Sequence, residues 1–392
     1  MSFTTIKHTF IGLIVVLLLA LVLIRQTYVE SEAFPDRSSM PILASTEMEL
    51  VANLPTPPGN IALADNGDIF FTFHPEANPT INVAKLVDGE AQAFPSIEWQ
   101  PGGSEPHAFN EVLSVRIDQQ QLWVLDNGKH GLKKVRLLAF DLATGEMTKR
   151  IKFSRAEFAL GSHANDFQIS QDGNFIIITD ASIMAKTPAL VIYDIKNDHA
   201  RRVLELHESV LAGKFEPVVQ GREMTILGLF TINPGVDGLV LDSANEYLYY
   251  ASISADQLYR IPYADLIDSS LSGNELSSAV EAVGEKTMTD GMAMDEQGNV
   301  YLSDLEHSAI VRKLPTGELQ TLLKSASIRW PDGFSFGPKG YLYFTCSALH
   351  QVIGIDDDEI KQKAPYQIYR FMPPKVEVVE KDNEEEAKED SF

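Results

Sequence analysis

The stretch Thr289–Asp304 reads TDGMAMDEQGNVYLSD and decides the fold. Asp290 and Gly291 stand near its start and lead into an apolar run. The side chains of this run alternate in direction, which places Met292 and Met294 on one side. A turn at Gly298-Asn299 then leads into a second short apolar run, Val300–Leu302. Alternating runs joined by a glycine turn are typical of a β-hairpin. The stretch therefore predicts two adjacent antiparallel strands.

The same pattern returns five more times along the chain. The further copies are VDGLVLDSANEYLYYA (Val236–Ala251), PDGFSFGPKGYLYFTC (Pro331–Cys346), ANDFQISQDGNFIIIT (Ala164–Thr179), GNIALADNGDIFFT (Gly59–Thr72) and VLSVRIDQQQLWVLD (Val112–Asp126), the last of which lacks the glycine. Repetition at a period of several tens of residues is the mark of a repeat architecture. Repeated units of short strands that close into a ring form a β-propeller. The sequence therefore predicts an all-β fold, a six-bladed β-propeller.

Aligning the copies on their turns places one residue of each copy at the entrance of its first strand. Those residues are Asn60, Leu113, Asn165, Asp237, Asp290 and Asp332. The innermost strands of a propeller line its central channel, so equivalent positions form a ring around that channel. Three carboxylates in a narrow channel repel one another unless they are protonated or a cation neutralises them. The pattern predicts a ring of oxygen ligands that is broken only at Leu113.

Carboxylate and amide oxygens, without Cys or His among them, favour a hard cation. Asn165, Asp237 and Asp290 are the predicted metal ligands, and Asn60 and Asp332 are predicted to contact a bound ligand. Ca²⁺ is the first choice, with Mg²⁺ or Mn²⁺ as alternatives, ahead of Zn²⁺. A second interpretation stays open, because an Asn or Asp before glycine also binds backbone N–H groups and shapes a turn without any ligand.

Two residues beside Asn165 are candidates for catalysis. His163 is either a proton carrier at the channel mouth or a loop histidine held by hydrogen bonds. Asp166 is a candidate general base, although strand alternation equally allows its side chain to point away from the channel. Four further residues are given structural roles: Asp126 and Asp304 in turns, and Trp123 and Trp330 in the core.

Charge and cysteine content limit the classes of function. The formal net charge is −23 over 392 residues, and no cluster of Lys and Arg is visible that would bind a nucleic acid backbone. The sequence has no glycine-rich phosphate loop, no G-x-S-x-G elbow and no HExxH pair. The single cysteine, Cys346, lies in a predicted strand and is expected to be a buried thiol. An internal disulfide framework is excluded.

The two ends of the chain differ from the repeated region. Phe10–Ile24 is an unbroken apolar run ended by Arg25, which predicts a signal-anchor or, as the alternative, a cleaved signal peptide over residues 1–27. Residues 28–44 are predicted to be a linker, 45–372 the propeller, and 373–392 a disordered acidic tail. We therefore expect an exported protein, held by its N-terminal segment at the periplasmic face of the inner membrane, or else secreted.

Two connections are longer than the rest. His207–Pro234 separates the third and fourth strand-rich units, and Tyr263–Thr287 separates the fourth and fifth. Within the second connection, residues 276–283 carry four apolar side chains at helical spacing. This spacing predicts a short helix packed on the ring, with a mobile lid as the alternative.

Four further stretches are informative in combination: LWVLDNG (Leu122–Gly128), ALVIYDIKNDHARRVL (Ala189–Leu204), GVDGLVLDSANEYLYYASISADQLYRIP (Gly235–Pro262) and the closing PDGF…LYF (Pro331–Phe344). Together they resemble the yellow/major royal jelly protein family. The resemblance runs from about Gly59 to Val352, and the chain looks like a bacterial member. It implies a six-bladed propeller that is usually exported. The family includes dopachrome-converting enzymes, proteins that bind biogenic amines in the central channel, and nutritive or structural proteins.

A wider similarity is to the gluconolactonase/regucalcin-like propellers. In that group a Glu, two Asn and an Asp at the entrances of inner strands hold a central metal. The matching positions here are Asn60, Asn165, Asp237 and Asp290. Asn165 and Asp290 agree in type, whereas Asn60 replaces the Glu and Asp237 replaces an Asn. This departure argues against lactone hydrolysis but not against cation binding.

Together these patterns predict a propeller that binds a small ligand in its channel, either an amine or a molecule of the catechol or quinone type, with a divalent cation as candidate cofactor. Two enzymatic mechanisms stay open. In the first, a channel Asp moves the proton during tautomerisation of a dopachrome-type substrate. In the second, a metal polarises a lactone carbonyl and activates water. A non-catalytic structural protein is the remaining alternative.

Overall fold

Six four-stranded antiparallel sheets form the computed structural model. The structure describes residues 32–104, 107–226 and 230–376, together with positions 8, 12, 15, 16 and 19. Five of the sheets pair four strands in chain order, as the blades of a propeller do. The sixth takes three strands from the end of the propeller and one from its start. The predicted all-β, six-bladed propeller is confirmed.

The blades are numbered in chain order, and each is given from its innermost to its outermost strand. Blade 1 contains Pro58–Leu63, Ile69–Phe73, Val83–Val87 and Glu90–Ala93. Blade 2 contains Val112–Asp118, Gln121–Asp126, Arg136–Asp141 and Met147–Lys152. Blade 3 contains Ala164–Ile169, Phe175–Asp180, Ala189–Asp194 and His199–Val203.

The second half of the ring follows the same plan. Blade 4 contains Val236–Leu241, Tyr247–Ser252, Gln257–Pro262 and Glu281–Glu285. Blade 5 contains Met292–Met294, Val300–Asp304, Ala309–Lys313 and Leu319–Lys324. Blade 6 contains Pro331–Phe336, Leu342–Cys346, Tyr366–Phe371 and Glu49–Leu54. Short helices cover Tyr263–Ile267, Gly273–Ser278 and Asp357–Gln362, and two small hairpins pair Val218–Val219 with Arg222–Glu223 and Thr225–Ile226 with Phe230–Thr231.

Blade 6 joins the two ends of the propeller. Its outermost strand pairs with the strand Tyr366–Phe371, from Glu49 opposite Arg370 to Leu54 opposite Tyr366. Arg370 Nε also donates to the Glu49 carboxylate at 2.8 Å. Cys346 in the second strand is fully buried, which confirms the predicted buried thiol, and burial raises the pKa of this thiol to about 12.

The glycine of the repeated phrase lets neighbouring blades approach closely at the channel. A Cβ added at Gly291 would lie 1.5 Å from the carbonyl oxygen of Asp332, and one added at Gly238 would lie 2.5 Å from that of Asp290. Neither position has room for a side chain. Glycine after the acidic residue therefore narrows the ring and brings the carboxylates of adjacent blades together.

A β-bulge marks the entrance of the first strand in five of the six blades. In blade 3 the pairing register shifts between Ala164 and Phe167. A bulge adds a residue to one strand and re-aims the neighbouring side chains. Asn165 and Asp166 consequently both line the central cavity, although strict alternation would send one of them to the opposite face.

The buried hydroxyl of Thr179, on the second strand of blade 3, stabilises the bulge at the entrance of the first strand. Thr179 Oγ1 accepts from the backbone N–H of Asp166 at 3.0 Å and donates to the backbone carbonyl of Asp237 in the next blade at 2.8 Å. The hydroxyl thereby ties the first strand of its own blade to the ring position of its neighbour. Equivalent hydroxyls accept backbone N–H bonds in three other blades: Thr72, Ser303 and Thr345.

Replacing Thr179 by Val keeps the shape of the side chain and removes these hydrogen bonds. We expect the free energy of unfolding to fall by about 1–3 kcal/mol, because a buried N–H and a buried C=O lose their partner. The matched control is Thr148→Val, which removes an exposed hydroxyl on the outermost strand of blade 2 and should change stability by less than about 0.5 kcal/mol. Chemical denaturation measures both variants, and equal losses would contradict this role of Thr179.

The connection between blades 4 and 5 contains less helix than its spacing predicts. A helix over Gly273–Ser278 buries Leu276 against the core beside blade 4. Residues Glu281–Glu285 instead form the outermost strand of that blade and pair with Gln257–Pro262. The predicted helix is confirmed as far as Ser278 and wrong beyond it, because pairing with the sheet edge supplies the backbone hydrogen bonds there.

The predicted linker is attached to the propeller along the part that the structure describes. We call residues 32–44 the strap. Phe34 in the strap is 8% exposed and lies in the same apolar cluster as Met224 and Trp330, which line the central cavity. Arg37 pairs with Glu285 of blade 4 at 2.9 Å. The strap therefore begins at the end of the propeller that carries the cavity.

The remaining predictions about the two ends of the chain concern residues that lie mostly outside the described ranges. Most of the run Phe10–Ile24 and residues 377–392 of the acidic tail lie outside the described residues. Among the residues that are described, no helix is both long and apolar enough to cross a membrane. The signal-anchor, its alternative cleavage and the disordered tail stay predictions.

Candidate functional site

The six ring positions line a single cavity at the end of the channel where the first strands begin. The cavity has a volume of about 450 Å³. Its lining includes one ring residue from every blade: Asn60, Leu113, Asn165, Asp237, Asp290 and Asp332. The structure thus brings together the residues that the repeat alignment selects, while their roles stay predictions.

The ring side chains form hydrogen bonds across blades rather than within their own turns. The amide nitrogen of Asn165 donates to the Asp237 carboxylate. Asn60 Oδ1 accepts from the backbone N–H of Val115 in the next blade at 3.2 Å. Within the part of the chain that the structure describes, no ring side chain accepts a backbone N–H of its own turn. The turn-shaping interpretation therefore does not account for these residues.

Four acidic side chains meet in the cavity, and we call them the carboxylate cluster: Asp166, Asp237, Asp290 and Asp332. Burial raises the pKa of Asp237 and Asp332, and the neighbouring carboxylates raise both further. Burial also raises the pKa of Asp290, to about 6. Trp330 Nε1 donates to Asp290 Oδ2 at 2.6 Å and limits this rise. The cluster is consequently a site that a cation would stabilise.

Arg116 neutralises one side of the carboxylate cluster. Its Nη2 donates to both carboxylate oxygens of Asp166, at 2.7 and 2.6 Å, and its Nη1 donates to Asn60 Oδ1 at 2.6 Å. The hydroxyl of Ser114 also donates to Asp166. This geometry fits a fixed counterion for Arg116 more closely than the predicted general base, and a catalytic role of Asp166 stays a prediction.

Two stacked histidines form another side of the cavity. His130 Nδ1 and His163 Nδ1 lie 3.2 Å apart, and the ring centroids are separated by 5.1 Å. His130 Nε2 lies 3.3 Å from Glu76 Oε1 and 3.8 Å from Glu111 Oε2. The hydrogen bond with Glu76 raises the pKa of His130, whereas burial lowers the pKa of His163 to about 3. His163 is thus a neutral imidazole that both lines the cavity and is held by a hydrogen bond.

Most of the remaining wall is apolar. It comes from connections at this end of the ring: Leu132, Met184, Met224, Ile232, Leu349 and Ile353. Met224 and Ile232 belong to the long connection 207–234, which therefore forms part of the cavity wall. Trp330 is buried and also lines the cavity, whereas Trp123 lies in the core between blades 2 and 3.

Other acidic residues near strand ends have structural partners. Asp126 is fully buried, accepts from Arg136 Nε at 3.1 Å and accepts from the backbone N–H of Gly128 at 3.0 Å. Asp304 pairs with His307, whose Nδ1 lies 2.9 Å from its Oδ1. These bonds hold the connections that follow the second strands, as the turn assignment predicts.

A family model described as Major royal jelly protein matches residues 111–360, which is more than half of the chain. The chain belongs to the major royal jelly protein family. It is 24% identical over 234 residues to Major royal jelly protein 7 of Apis mellifera, and this alignment covers 56% of the chain and 50% of that protein. The chain thus spans about half of the length of the curated relative it matches.

Solved propellers share the fold of this royal jelly family member. A luciferin-regenerating enzyme superimposes with a TM-score of 0.53 at 13% identity, covering 83% of this chain and 95% of the other. A gluconolactonase from Xanthomonas campestris gives 0.53 at 12%, covering 83% and 89%. The calcium-binding protein regucalcin from Agrobacterium tumefaciens gives 0.50 at 15%, covering 82% and 93%. Identities this low show a common fold alone.

The predicted metal ligands of this royal jelly family propeller fit a metal only in part. Asn165, Asp237 and Asp290 share the cavity. Asn60, which the resemblance to gluconolactonases adds as a fourth ligand, already has its Oδ1 bonded to Arg116 at 2.6 Å. Within the described ranges, no three His, Cys, Asp or Glu side chains are grouped as metal ligands would be. A four-ligand centre of the gluconolactonase type does not fit these residues, and Ca²⁺ stays a prediction.

Three residues of the site were not selected from the sequence: Arg116, His130 and Glu76. Arg116 carried a usable signal, since it is the basic residue in a first strand, VLSVRID, that is otherwise mostly apolar. The other two lie in connections after second strands, where the repeated phrase has ended. The alignment of copies therefore carried no information about them.

Proposed function

We propose that this major royal jelly family propeller is exported and binds a small organic cation with an apolar or aromatic body in its central cavity. One observation carries the proposal. Asp237, Asp290 and Asp332 are held together at the inner end of an apolar cavity, and no lysine or arginine among the described residues lines that cavity. Arg116 is not among the residues that line the cavity, and its guanidinium donates hydrogen bonds to Asp166 and Asn60. An incoming ammonium group would relieve the repulsion within the cluster.

The dimensions of the cavity fit such a ligand. Its volume of about 450 Å³ lies in the range of sites for small molecules. The ammonium group of the ligand would contact the carboxylate cluster, and its body would lie against Trp330, Met224 and Leu349. Apolar contact supplies affinity, while the carboxylates fix the orientation of the ligand.

The same site has a group suited to proton transfer. The pKa of Asp290, about 6, is close to the pH at which a general acid or base is most effective. Burial lowers the pKa of His163 to about 3, so this residue is suited to hydrogen bonding with the ligand more than to accepting a proton. Tautomerisation of a quinone-type substrate, the dopachrome type included, is therefore the reaction proposed if the ligand is converted. Lactone hydrolysis loses support because Asn60 is bonded to Arg116.

Calorimetric titration of the full chain tests the proposal with an arylethylamine and with its alcohol isostere. We expect the amine to bind roughly ten- to a hundredfold more tightly, because a hydrogen bond to a charged group is worth about 1.5–3 kcal/mol. Equal affinities, or no binding of either compound, would overturn it. Elemental analysis and a chelator control run in parallel. Stoichiometric Ca²⁺ together with amine binding that is lost on chelation would replace the organic cation by a metal as the partner of the carboxylates.

A further inference from the structure

Three exposed apolar side chains surround one side of the cavity mouth. Leu132, Leu160 and Met184 are 60%, 65% and 55% exposed. Leu132 and Met184 also line the cavity, and all three belong to connections of blades 2 and 3 at the same end of the propeller. Large apolar side chains that lie together in water mark a surface that contacts a partner.

The three connections form one continuous surface. Arg155 Nη1 donates to the carbonyl of Gly131 at 2.6 Å, and its Nη2 donates to that of Leu132 at 2.9 Å. The backbone N–H of Ala185 donates to the carbonyl of Gly161 at 3.0 Å. The loop of Leu132 is thus fixed to the loop of Leu160, and that loop is fixed to the loop of Met184.

The same surface is basic, in contrast to the chain as a whole, which carries −23. Its exposed basic residues are Lys129, Lys133, Lys134, Arg155 and Lys186. Glu157 is the one acidic residue within 127–134, 154–162 and 181–188. These basic residues are spread over nearly sixty positions of sequence, so no cluster is visible until the chain folds. We call these five residues, with Leu132, Leu160 and Met184, the rim patch.

The strap enters the propeller at the same end. Phe34 packs with Met224, Trp330 and Leu349, all of which line the cavity. The strap begins at residue 32, eight positions after the apolar run Phe10–Ile24. An extended chain of eight residues reaches at most roughly 30 Å. A membrane that held the apolar run would therefore lie close to the end of the propeller that bears the rim patch.

We propose that the rim patch docks on an anionic lipid bilayer, so that the cavity mouth faces the membrane surface. Apolar side chains between lysines and arginines are the composition of interfacial membrane contacts, where apolar burial and attraction to anionic headgroups add together. A second copy that met the chain patch to patch is a poorer occupant, because the contact would bring two sets of exposed basic residues together. The proposal does not depend on which ligand the cavity binds.

Site-specific fluorescence in vesicles of phosphatidylcholine with about a third phosphatidylglycerol tests this orientation. The full chain carries an environment-sensitive dye on Leu160→Cys or, as matched control, on Leu50→Cys, which lies on the outermost strand of blade 6 and is 53% exposed. Cys346 is fully buried and is not expected to react with the dye. We expect lipid-borne nitroxide to quench the dye at position 160 and to leave the dye at position 50 unquenched.

Variants with reversed charge provide a second test of docking on the bilayer. We expect Lys134→Glu/Lys186→Glu to lower the docking equilibrium by roughly tenfold or more, as high salt should. The control Lys196→Glu/Lys339→Glu makes the same change in net charge at the opposite end of the propeller and should have no effect. The proposal is overturned if position 160 is not quenched, if positions 160 and 50 are quenched equally, or if both charge variants behave alike. It is also overturned if position 160 becomes protected in lipid-free solution as protein concentration rises, since copies of the chain would then cover the patch.

Discussion

Asp237→Asn is expected to stabilise the ligand-free protein and to weaken binding of the organic cation. Burial and the carboxylates of Asp290 and Asp332 raise the pKa of Asp237, so its ionised form destabilises the fold. The amide of Asn keeps the shape and can still accept from Asn165, while it removes the charge. We expect a gain of about 1–3 kcal/mol in the free energy of unfolding at pH 8, and an amine affinity roughly ten- to a hundredfold lower.

Asp126→Asn is the matched comparison, since it makes the same change in a buried carboxylate that already has partners. Asp126 is bonded to Arg136 and to the backbone of Gly128, so the substitution removes the charge of a buried ion pair. We expect this variant to lose about 3–5 kcal/mol. Denaturation and calorimetry on both variants separate the two roles. A destabilised Asp237→Asn variant would mean that Asp237 is structural.

The pH dependence of stability follows from the same raised pKa values. Asp290 has a folded-state pKa of about 6 against an ordinary value of 3.8. Between these values the folded chain holds a proton that the unfolded chain has released, so stability decreases as pH rises through this window. Asp237 and Asp332 act in the same direction. Asp237→Asn should flatten the profile, and a saturating amine should reverse its slope, because bound cation favours the ionised carboxylates.

The repeated phrase predicted the fold because every copy contains two short apolar runs separated by a turn, and these runs form the first two strands of a blade. The glycine after Asp237, Asp290 and Asp332 is required by the close approach of the next blade, and it occurs in three of the six copies. Residues at the same place in each copy had to converge once the ring closed. The ring positions were therefore accessible from one sequence without any knowledge of distances.

The rest of the site depends on contacts that the period does not encode. Arg116 and Asp166 are fifty positions apart and meet only because a bulge turns Asp166 toward the channel. His130 and Glu76 lie in connections, whose lengths and conformations differ between blades. The helix expected over 276–283 ended early because strand pairing with blade 4 outweighed its helical spacing. At each of these places, contacts between distant parts of the chain override the structure that the local sequence pattern predicts.

The second large effect is expected from Arg116→Met, which removes the positive charge between Asp166 and Asn60. The side chain of Arg116 is 15% exposed and that of Asp166 is 9% exposed. Removing one partner of a buried ion pair leaves the other charge uncompensated, beside three carboxylates that already repel it. We expect a loss of about 3–5 kcal/mol in the free energy of unfolding, measured by chemical denaturation. Arg116→Lys should recover only part of it, because one ammonium group does not reproduce the paired donors of a guanidinium.

The double variant Arg116→Met/Asp166→Asn decides what Asp166 does. With both charges removed, most of the lost stability should return, which gives a coupling energy of about 2 kcal/mol or more in a double-mutant cycle. If Asp166 serves only as the counterion of Arg116, the double variant keeps its affinity for the amine and any turnover of a quinone-type substrate. If Asp166 is the general base, stability returns and turnover does not. A double variant that is no more stable than Arg116→Met would show that the guanidinium stabilises the ring through Asn60 rather than through charge.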